Sequence, residues 1–443
     1  MRNILLKYKN LVKSDGIKKY FFNTSWLIAE KILQLVTSLF VGIWLARYLG
    51  SANFGLFSFA ISFAGLFSTM ATLGLEGIVI RELVKSESQR DVILGTAFIL
   101  KLIGSFLMIL LMIIFSNLIP IDNSTKIMTI IIASAAIFQS FGVINYYFQG
   151  KVLSRYIVFA NISSLSISTI IKIILILNKA PLILFVWIIL FDSFIIAIGF
   201  IYFYVKMNLS LLRWQFNWSR GFLLLKDSWP LIITGVLVSI YMKIDQVMIK
   251  VLLGNEAVGQ YAAAVKLSEA WYFIPSVILS SLFPAIINAK IQNEDMYYSR
   301  LRKLYNFMAL LAISIAIPMT FLSDWIVDLL YGGLYNHSGS VLRIHIWSGV
   351  FVFLGVASSK WLLTENLQVF SIINTSIGAI VNIILNYVLI KKIGIDGSAW
   401  ATLIAYFFAA YLCLAFFKKT RKNFIFLSKA LLINWLWHVK KSD

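Results

Sequence analysis

The sequence predicts an all-α membrane protein of about twelve transmembrane helices, arranged as two pseudo-symmetric six-helix lobes around a central cavity. Three observations predict this fold: the composition, apolar runs along nearly the whole chain, and a repeat shared by the two halves. The chain is 60% hydrophobic and 13% charged, whereas about 25% of the residues of a soluble domain are charged. An apolar run of about 20 residues crosses the hydrocarbon core as a helix. Because alternating ten-residue strands are absent from the sequence, we expect helices rather than a barrel.

The apolar runs define twelve predicted spans, numbered 1 to 12 in chain order and separated by short loops. They cover residues 24–46, 55–79, 93–117, 127–148, 156–178, 182–205, 229–252, 258–288, 305–330, 343–363, 368–390 and 397–417. We expect a basic N-terminus, an N-lobe, an amphipathic linker, a C-lobe and a basic amphipathic tail, over residues 1–22, 23–205, 206–228, 229–417 and 418–443. No remaining piece is long enough for a separate catalytic domain.

The positive charge of the chain predicts its orientation. The formal net charge is +20, and with alternate loops on opposite sides, about 26 Lys and Arg residues fall on one side and about six on the other. Such a bias marks the cytoplasmic side, so we expect both termini in the cytoplasm and an even number of spans. The charge therefore indicates topology rather than nucleic-acid binding.

The two halves share a short motif at the same position. Leu49–Phe57 and Leu253–Tyr261 both read L-G-x-x-x-apolar-G-x-aromatic, and each joins the first two spans of a six-span set. Ser-Trp opens the first span of each set, at Ser25 and Ser228. Glycine suits a tight reversal between helices. The match predicts parallel repeats, a common plan of transporters, which place the substrate path between the lobes.

Span 7 carries charges deep in the membrane, within SIYMKIDQVMIK (239–250). A lysine at the bilayer centre costs about 2.5 to 3.5 kcal/mol on insertion scales. Helical spacing places Ser239, Lys243, Gln246 and Lys250 on one face, whereas Asp245 points away. We therefore expect Lys243 to face water, a partner or a substrate.

Other spans add polar groups, which together predict a cavity for an anionic, hydroxyl-rich ligand. Span 5 has a stripe ending at Lys172, and span 11 has one at Asn374, Asn382 and Asn386. The candidate substrate-binding residues are Lys243, Lys31, Lys101, Lys172, Gln34, Gln246, Tyr241 and Lys250. Alternatively, Lys31 and Lys250 extend to the membrane surface, and the Asn and Ser stripes hold helices together.

Three carboxylates are candidate ion-coupling sites: Asp245, Asp192 and Glu269. Pairing with a neighbouring helix is the structural alternative for Asp245 and Asp192, and Glu269 can pair with Lys266. No catalytic motif is present, and the histidines, His337, His345 and His438, are predicted in loops and the tail, so we expect no metal site and no cofactor. Cys413 lies within a span, so no disulfide is predicted.

Three stretches resemble the bacterial polysaccharide transporter family, the Wzx-type O-antigen and capsule flippases. They are LGSANFGLFSFAISFAGLFSTMATLGLEGIVIRELVK (49–85), YMKIDQVMIKVLLGNEAVGQYAAAVKLSEAWYFIP (241–275) and NYVLIKKIGIDGSAWATLIA (386–405). The resemblance implies the multidrug/oligosaccharidyl-lipid/polysaccharide exporter (MOP) superfamily and an undecaprenyl-pyrophosphate-linked oligosaccharide as cargo, moved to the outer leaflet by ion-coupled alternating access. It also implies the bacterial inner membrane, and membrane lipids and other polysaccharide assembly proteins as partners.

Two other functions remain open at this point. The first is an ion-coupled multidrug exporter of the same superfamily, against which the net positive predicted cavity argues. The second is a membrane polysaccharide polymerase or ligase. We expect such an enzyme to carry a substantial outer loop, whereas the largest here, around 331–342, has about a dozen residues. We therefore expect a transporter rather than an enzyme.

Overall fold

The computed structural model describes residues 15–432, and these residues form helices and turns without a strand. Eleven helical segments in this range are long and apolar enough to cross a membrane. The first, Ser25–Lys85, has 61 residues, three times what one crossing needs, and its backbone leaves the helical region at Gly50. It therefore holds two spans. The protein is an all-α, multi-pass membrane protein whose segments provide twelve spans, as the sequence predicts.

The helices follow the predicted spans in chain order. Spans 1 and 2 lie in Asp15–Thr72, followed by Leu75–Lys85. Spans 3 to 7 lie in Arg90–Leu118, Asn123–Gln139 with Val143–Gly150, Ser154–Leu177, Leu182–Lys206 and Trp218–Leu253. Spans 8 to 12 lie in Asn255–Glu269 with Phe273–Gln292, Glu294–Tyr331, Ser338–His345 with Ser348–Thr364, Gln368–Ile393, and Ile395–Phe407 with Cys413–Phe416. A tail helix follows at Arg421–Leu431.

Two compact units divide the chain. Unit 1 holds the residues up to Leu45 and Ala64–Val236, and unit 2 holds Ala46–Phe63 and the residues from Leu237 on. Each has its own core, around Val79, Phe148 and Tyr204 in unit 1 and around Tyr305 and Phe353 in unit 2. The predicted lobe boundaries, at residues 205 and 229, stay a prediction.

The repeated motif has the same backbone geometry in both halves. Gly50 has φ 71° and ψ 169°, and Gly254 has φ 92° and ψ −173°. Residues with a Cβ rarely adopt these angles. Both glycines end one spanning helix and begin the next, as the repeat predicts.

The linker between the predicted lobes packs on unit 1. The indole of Trp214 donates to the Tyr204 hydroxyl at 3.2 Å, and the backbone N–H of Asn217 donates to Thr96 Oγ1 at 3.1 Å. Arg81, after span 2, pairs with Asp227, and this hydrogen bond raises the pKa of the guanidinium. These contacts attach the linker to span 6, to span 3 and to the helix Leu75–Lys85.

The tail helix is built into unit 2 through one face. Asn423 and Leu427 are fully buried. Asn423 accepts from the Tyr305 hydroxyl at 2.6 Å and donates to Ser358 Oγ at 2.7 Å. The tail helix is amphipathic, and its inner face is part of the core of unit 2. The tryptophans that the sequence suggests for the membrane surface, Trp435 and Trp437, lie outside the described residues.

Candidate functional site

The deepest charged group of unit 2 is Asp245 of span 7, whose side chain is 4% exposed. Three helices supply donors to its carboxylate. Tyr261 of span 8 donates to Oδ2 at 2.8 Å, and Thr402 of span 12 donates to the same oxygen at 2.5 Å. Asn386 of span 11 donates to Oδ1 at 2.8 Å. A buried carboxylate is costly unless hydrogen bonds stabilise its charge, and both oxygens of Asp245 meet that requirement.

Further polar residues surround this cluster. Ser398 donates to the amide oxygen of Asn386 at 2.6 Å. Asn382, one turn earlier on span 11, is fully buried. Its amide also faces the Asp245 carboxylate, so span 11 contributes two asparagines to the cluster.

One histidine also adjoins this cluster, which corrects the sequence interpretation. His345 ends a helix and is only 2% exposed, instead of lying in a loop. Its Nδ1 is 3.0 Å from Ser268 Oγ, and its ring meets the Tyr261 ring edge to face, with centroids 6.1 Å apart. His438 lies outside the described residues. Over residues 15–432, no group of three or more His, Cys, Asp or Glu side chains could hold a metal ion.

Lys243 lies two residues before Asp245 and does not pair with it, as helical spacing predicts. Its side chain is half-buried and interacts electrostatically with Glu269 of span 8. No hydrogen bond or ion pair within 4.0 Å involves its ammonium group among the described residues. The Lys243 ammonium is therefore a cation on a spanning helix, and none of its donors is used by the described residues.

The other candidates on span 7 have closer contacts. Gln246 accepts a buried hydrogen bond from Ser62 at 2.8 Å. Lys250 donates to Asn255, and its ammonium lies 5.9 Å from the centre of the Phe59 ring. Tyr241 packs edge to face on Tyr406, with centroids 4.4 Å apart. Gln246 and Lys250 therefore make contacts near the repeated turns, whereas Tyr241 lines a separate cavity of unit 2.

In unit 1, Asp192 and Lys172 form an ion pair between spans 5 and 6. Their charged atoms are 3.7 Å apart, and Ser164 donates to Asp192 Oδ1 at 3.1 Å. Both charged side chains are about one quarter exposed. The sequence left pairing open as the alternative for Asp192, and the structure provides such a partner on the neighbouring helix.

Lys101 and Lys31 differ sharply in their surroundings. Lys101 is 4% exposed and donates to the Gln139 carbonyl at 2.8 Å, where span 4 changes to a 3₁₀ turn. Lys31 is exposed and donates to Gln34 at 3.2 Å. Its neighbour Glu30 is buried and accepts from Asn161 at 2.8 Å. Lys101 therefore satisfies a carbonyl at the break in span 4, whereas the side chains of Lys31 and Gln34 are exposed.

The structure groups predicted residues within each unit. In unit 2, Lys243 interacts with Glu269 and donors surround Asp245. In unit 1, Lys172 pairs with Asp192. Sequence reasoning missed Tyr261 and Thr402 as partners of Asp245, and Ser398 as the partner of Asn386. A signal for Tyr261 exists in the repeat, because the first half has Phe57 at that position. The second half therefore has a hydroxyl at the position where the first half has a plain phenyl ring.

The similarity of this chain to known protein families agrees with an all-α membrane fold that has a polar interior. The model of the family described as "Polysaccharide biosynthesis protein" matches residues 17–290, more than half of the chain. The chain belongs to the polysaccharide biosynthesis protein family. The model of a second family, MatE, matches residues 230–388. No curated protein matches the sequence of this polysaccharide biosynthesis protein.

Solved structures share the fold of this polysaccharide biosynthesis protein. The lipid II flippase MurJ, in an inward closed conformation, has a TM-score of 0.71 at 17% identity, covering 95% of this chain and 93% of that one. A multidrug resistance MATE family transporter of the MOP superfamily, facing inward, has a TM-score of 0.70 at 13% identity, covering 89% and 96%. A MOP superfamily transporter from Pyrococcus furiosus has a TM-score of 0.56 at 12% identity, covering 93% and 95%. The fold is therefore that of MOP superfamily transporters.

Proposed function

We propose that this protein is a flippase that moves an undecaprenyl-pyrophosphate-linked oligosaccharide, an O-antigen or capsule repeat unit, from the cytoplasmic to the outer leaflet. Membership of a polysaccharide biosynthesis family supports the glycan, and the fold shared with a lipid II flippase supports a lipid-linked cargo. The transport step breaks no covalent bond. The protein therefore needs binding groups and a driving ion, not a catalytic centre.

Lys243 is the observation that carries this proposal. Its half-buried ammonium lies on a spanning helix and has no hydrogen bond among the described residues. A pyrophosphate is an anion with many acceptor oxygens, and lysine binds phosphates as a point charge with three donors. Binding the anion would compensate the cost of keeping this cation within the membrane. Lys31, Gln34, Lys172 and Lys101 are proposed to assist along the path.

Ion coupling is proposed at Asp245. Its carboxylate, the Thr402 and Tyr261 hydroxyls and the Asn382 amide make an oxygen-rich cluster, and hard cations such as sodium prefer oxygen ligands. A proton on the carboxylate would serve the same purpose. Either ion removes the net negative charge and so alters the hydrogen bonds that join spans 7, 8, 11 and 12. Glu269 and Asp192 remain secondary candidates.

We propose that the protein lies in the bacterial cytoplasmic membrane, with both termini in the cytoplasm. The distribution of about 26 positive residues against about six supports this orientation. In that orientation the anionic glycan head enters from the side on which cytoplasmic enzymes build it. Membrane lipids and other polysaccharide assembly proteins are the expected partners.

The proposal is tested by complementation of a strain that lacks the gene. Lys243→Ala is expected to reach the membrane at the normal level but to restore less than a tenth of the surface polysaccharide. Lys126→Ala, on a lysine in the first turns of the helix Asn123–Gln139 that donates to Asn117, is the matched control and should restore it fully. Full restoration by Lys243→Ala would refute the role of Lys243 in binding the anion.

A multidrug exporter is the second candidate, and the MatE match over residues 230–388 favours it. It predicts that deletion of the gene lowers resistance to cationic drugs and leaves the surface glycan intact. The two measurements on one deletion strain therefore separate the candidates.

A further inference from the structure

Unit 2 contains a partly open cavity of about 340 Å³ whose lining includes neither Asp245 nor the three residues that donate to it. Residues of spans 7, 8, 10, 11 and 12 line it, and all of them belong to unit 2. The volume is at the lower end of the range for small-molecule sites. Tyr241, predicted from the sequence to contact substrate, forms part of the wall.

The lining combines aromatic faces with hydroxyl and amide groups and contains no charged side chain. Eight of the sixteen lining residues carry a hydroxyl or an amide. Tyr241, Tyr406 and Phe351 supply the rings. Asn374 and Thr375 of span 11 and Ser358 of span 10 supply the smaller polar groups. Such a lining fits a neutral ligand with both apolar and hydrogen-bonding surface.

One buried polar atom in this wall lacks a partner. The Asn374 amide oxygen makes no hydrogen bond to any residue that the structure describes. Asn374 is 5% exposed, so its side chain is more than nine-tenths buried. Because a buried polar group without a partner is destabilising, a ligand that pairs with this oxygen would recover free energy.

One wall of the cavity has an irregular backbone. Phe408–Leu412 of span 12 form a π-helical turn, a distortion that is frequent at functional sites. Ala409 and Ala410 of this turn fit against glycines of neighbouring helices. A Cβ placed on Gly378 would lie 2.7 Å from the Cβ of Ala409, and one on Gly355 would lie 3.0 Å from that of Ala410. The glycines therefore accommodate the turn that shapes the cavity.

We propose that this cavity binds one or two neutral sugar residues of the transported glycan. A sugar ring has an apolar face that packs on aromatic rings and a hydroxyl edge that pairs with amide and hydroxyl groups. A hydrocarbon tail would leave the Asn374 amide oxygen unpaired, and an anionic group would find no opposite charge in the lining. This inference rests on the proposed function for the source of the sugar, and it adds a second contact point beyond Lys243.

Binding of neutral disaccharides to the full chain in lipid nanodiscs tests this proposal. The probes are maltose, cellobiose and N,N′-diacetylchitobiose, and saturation-transfer NMR is the readout. Asn374→Leu is expected to weaken binding about tenfold, the loss that corresponds to one good hydrogen bond. It should leave thermal stability equal or higher, because it removes a polar oxygen that has no partner. A merely structural role would lower the stability instead.

Thr375 and Ser376 provide a matched pair of variants. Each hydroxyl donates to the carbonyl four residues earlier at 2.9 Å, but only Thr375 lines the cavity. Thr375→Ala should weaken disaccharide binding, and Ser376→Ala should not. If no disaccharide binds, or both variants bind as the unaltered chain does, the cavity is not a sugar site. The cavity is also not a sugar site if native mass spectrometry shows that Asn374→Leu retains a lipid chain more strongly than the unaltered protein does.

The outcomes separate this inference from the proposed function. If the protein flips a lipid-linked glycan but binds no disaccharide, the cavity proposal fails and the flippase proposal stands. If disaccharides bind with the predicted variant pattern but no glycan is flipped, the cavity is supported as a sugar site and the flippase proposal fails.

Discussion

Gly55 and Gly259 occupy equivalent positions of the sequence repeat, and their backbones touch across two helices of unit 2. A Cβ built on Gly55 would lie 1.8 Å from the Asn255 carbonyl oxygen, and one on Gly259 would lie 1.9 Å from that of Ser51. The two contacts are reciprocal, since each glycine meets the residue four positions before the other. Small residues at this spacing let membrane helices approach closely.

This close contact predicts intolerance to any side chain at Gly259. Gly259→Val should lower the melting temperature of the purified protein by several degrees or prevent accumulation, because backbone atoms, not flexible side-chain ends, would have to move. Gly77→Ala is the control, since no heavy atom lies within 4 Å of the added Cβ. Alanine favours a helix over glycine by about 1 kcal/mol, so this control should be neutral or stabilising. Normal stability of Gly259→Val would contradict the contact.

Neutralising Asp245 should abolish ion dependence. Asp245→Asn is expected to reduce glycan transport at least tenfold and to remove any stabilisation by sodium, measured by melting in sodium chloride against potassium chloride at equal ionic strength. If the coupling ion is a proton, the variant should instead lose the pH dependence of transport. Asp324→Asn, on an exposed aspartate paired with Arg343, is the control. Transport with unaltered ion dependence in Asp245→Asn would assign coupling elsewhere.

The cap of span 4 predicts a pH-dependent contribution to stability. Partial burial alone would raise the pKa of Asp122, but hydrogen bonds from Ser124 and from the side chain and backbone of Thr125 hold it well below its usual value. A lowered carboxylate pKa stabilises the fold above the unfolded value of about 3.9, and the contribution is lost as pH falls below it. Asp122→Ala should cost about 1 kcal/mol at pH 7 and less at pH 3, as thermal melts at the two pH values would show. An equal cost at both would contradict the cap.

The tail helix should stabilise unit 2 through its buried asparagine. Asn423→Leu removes the partner of the Tyr305 and Ser358 hydroxyls and should lower stability by about 1 to 3 kcal/mol. Ile425→Ala, at a side chain that is 45% exposed, should change it little. Equal melting temperatures for both variants would mean that the tail helix lies on the surface without supporting the core.

The fold was largely predictable from the sequence, because each crossing needs its own apolar run. The repeat also predicted the two glycine turns correctly, because glycine is the residue that readily adopts the positive φ of these turns. The two spanning helices on either side of Gly50 run together, so helix length alone does not show where one ends and the next begins. The repeated motif marks that boundary.

The site was less predictable, because partners on different helices leave no spacing signal along the chain. Asp245 and Lys243 stood out as charges within an apolar run, but the donors Tyr261 and Thr402 are common residues whose role depends on packing. The stripe on span 11 appeared as one face, whereas Asn386 belongs to the Asp245 cluster and Asn374 to the cavity. His345 was grouped with the loop histidines although predicted span 10 begins at residue 343, and the structure places it at the end of the helix Ser338–His345.

Leaflet-resolved transport in proteoliposomes tests the central claim most directly. Purified protein is reconstituted with an undecaprenyl-pyrophosphate-linked oligosaccharide, an ion gradient is imposed, and an impermeant glycan-oxidising reagent measures the exposed fraction over time. We predict rapid exposure with the unaltered protein and a rate at least tenfold lower with Lys243→Ala. Exposure no faster than in protein-free vesicles would contradict the flippase account.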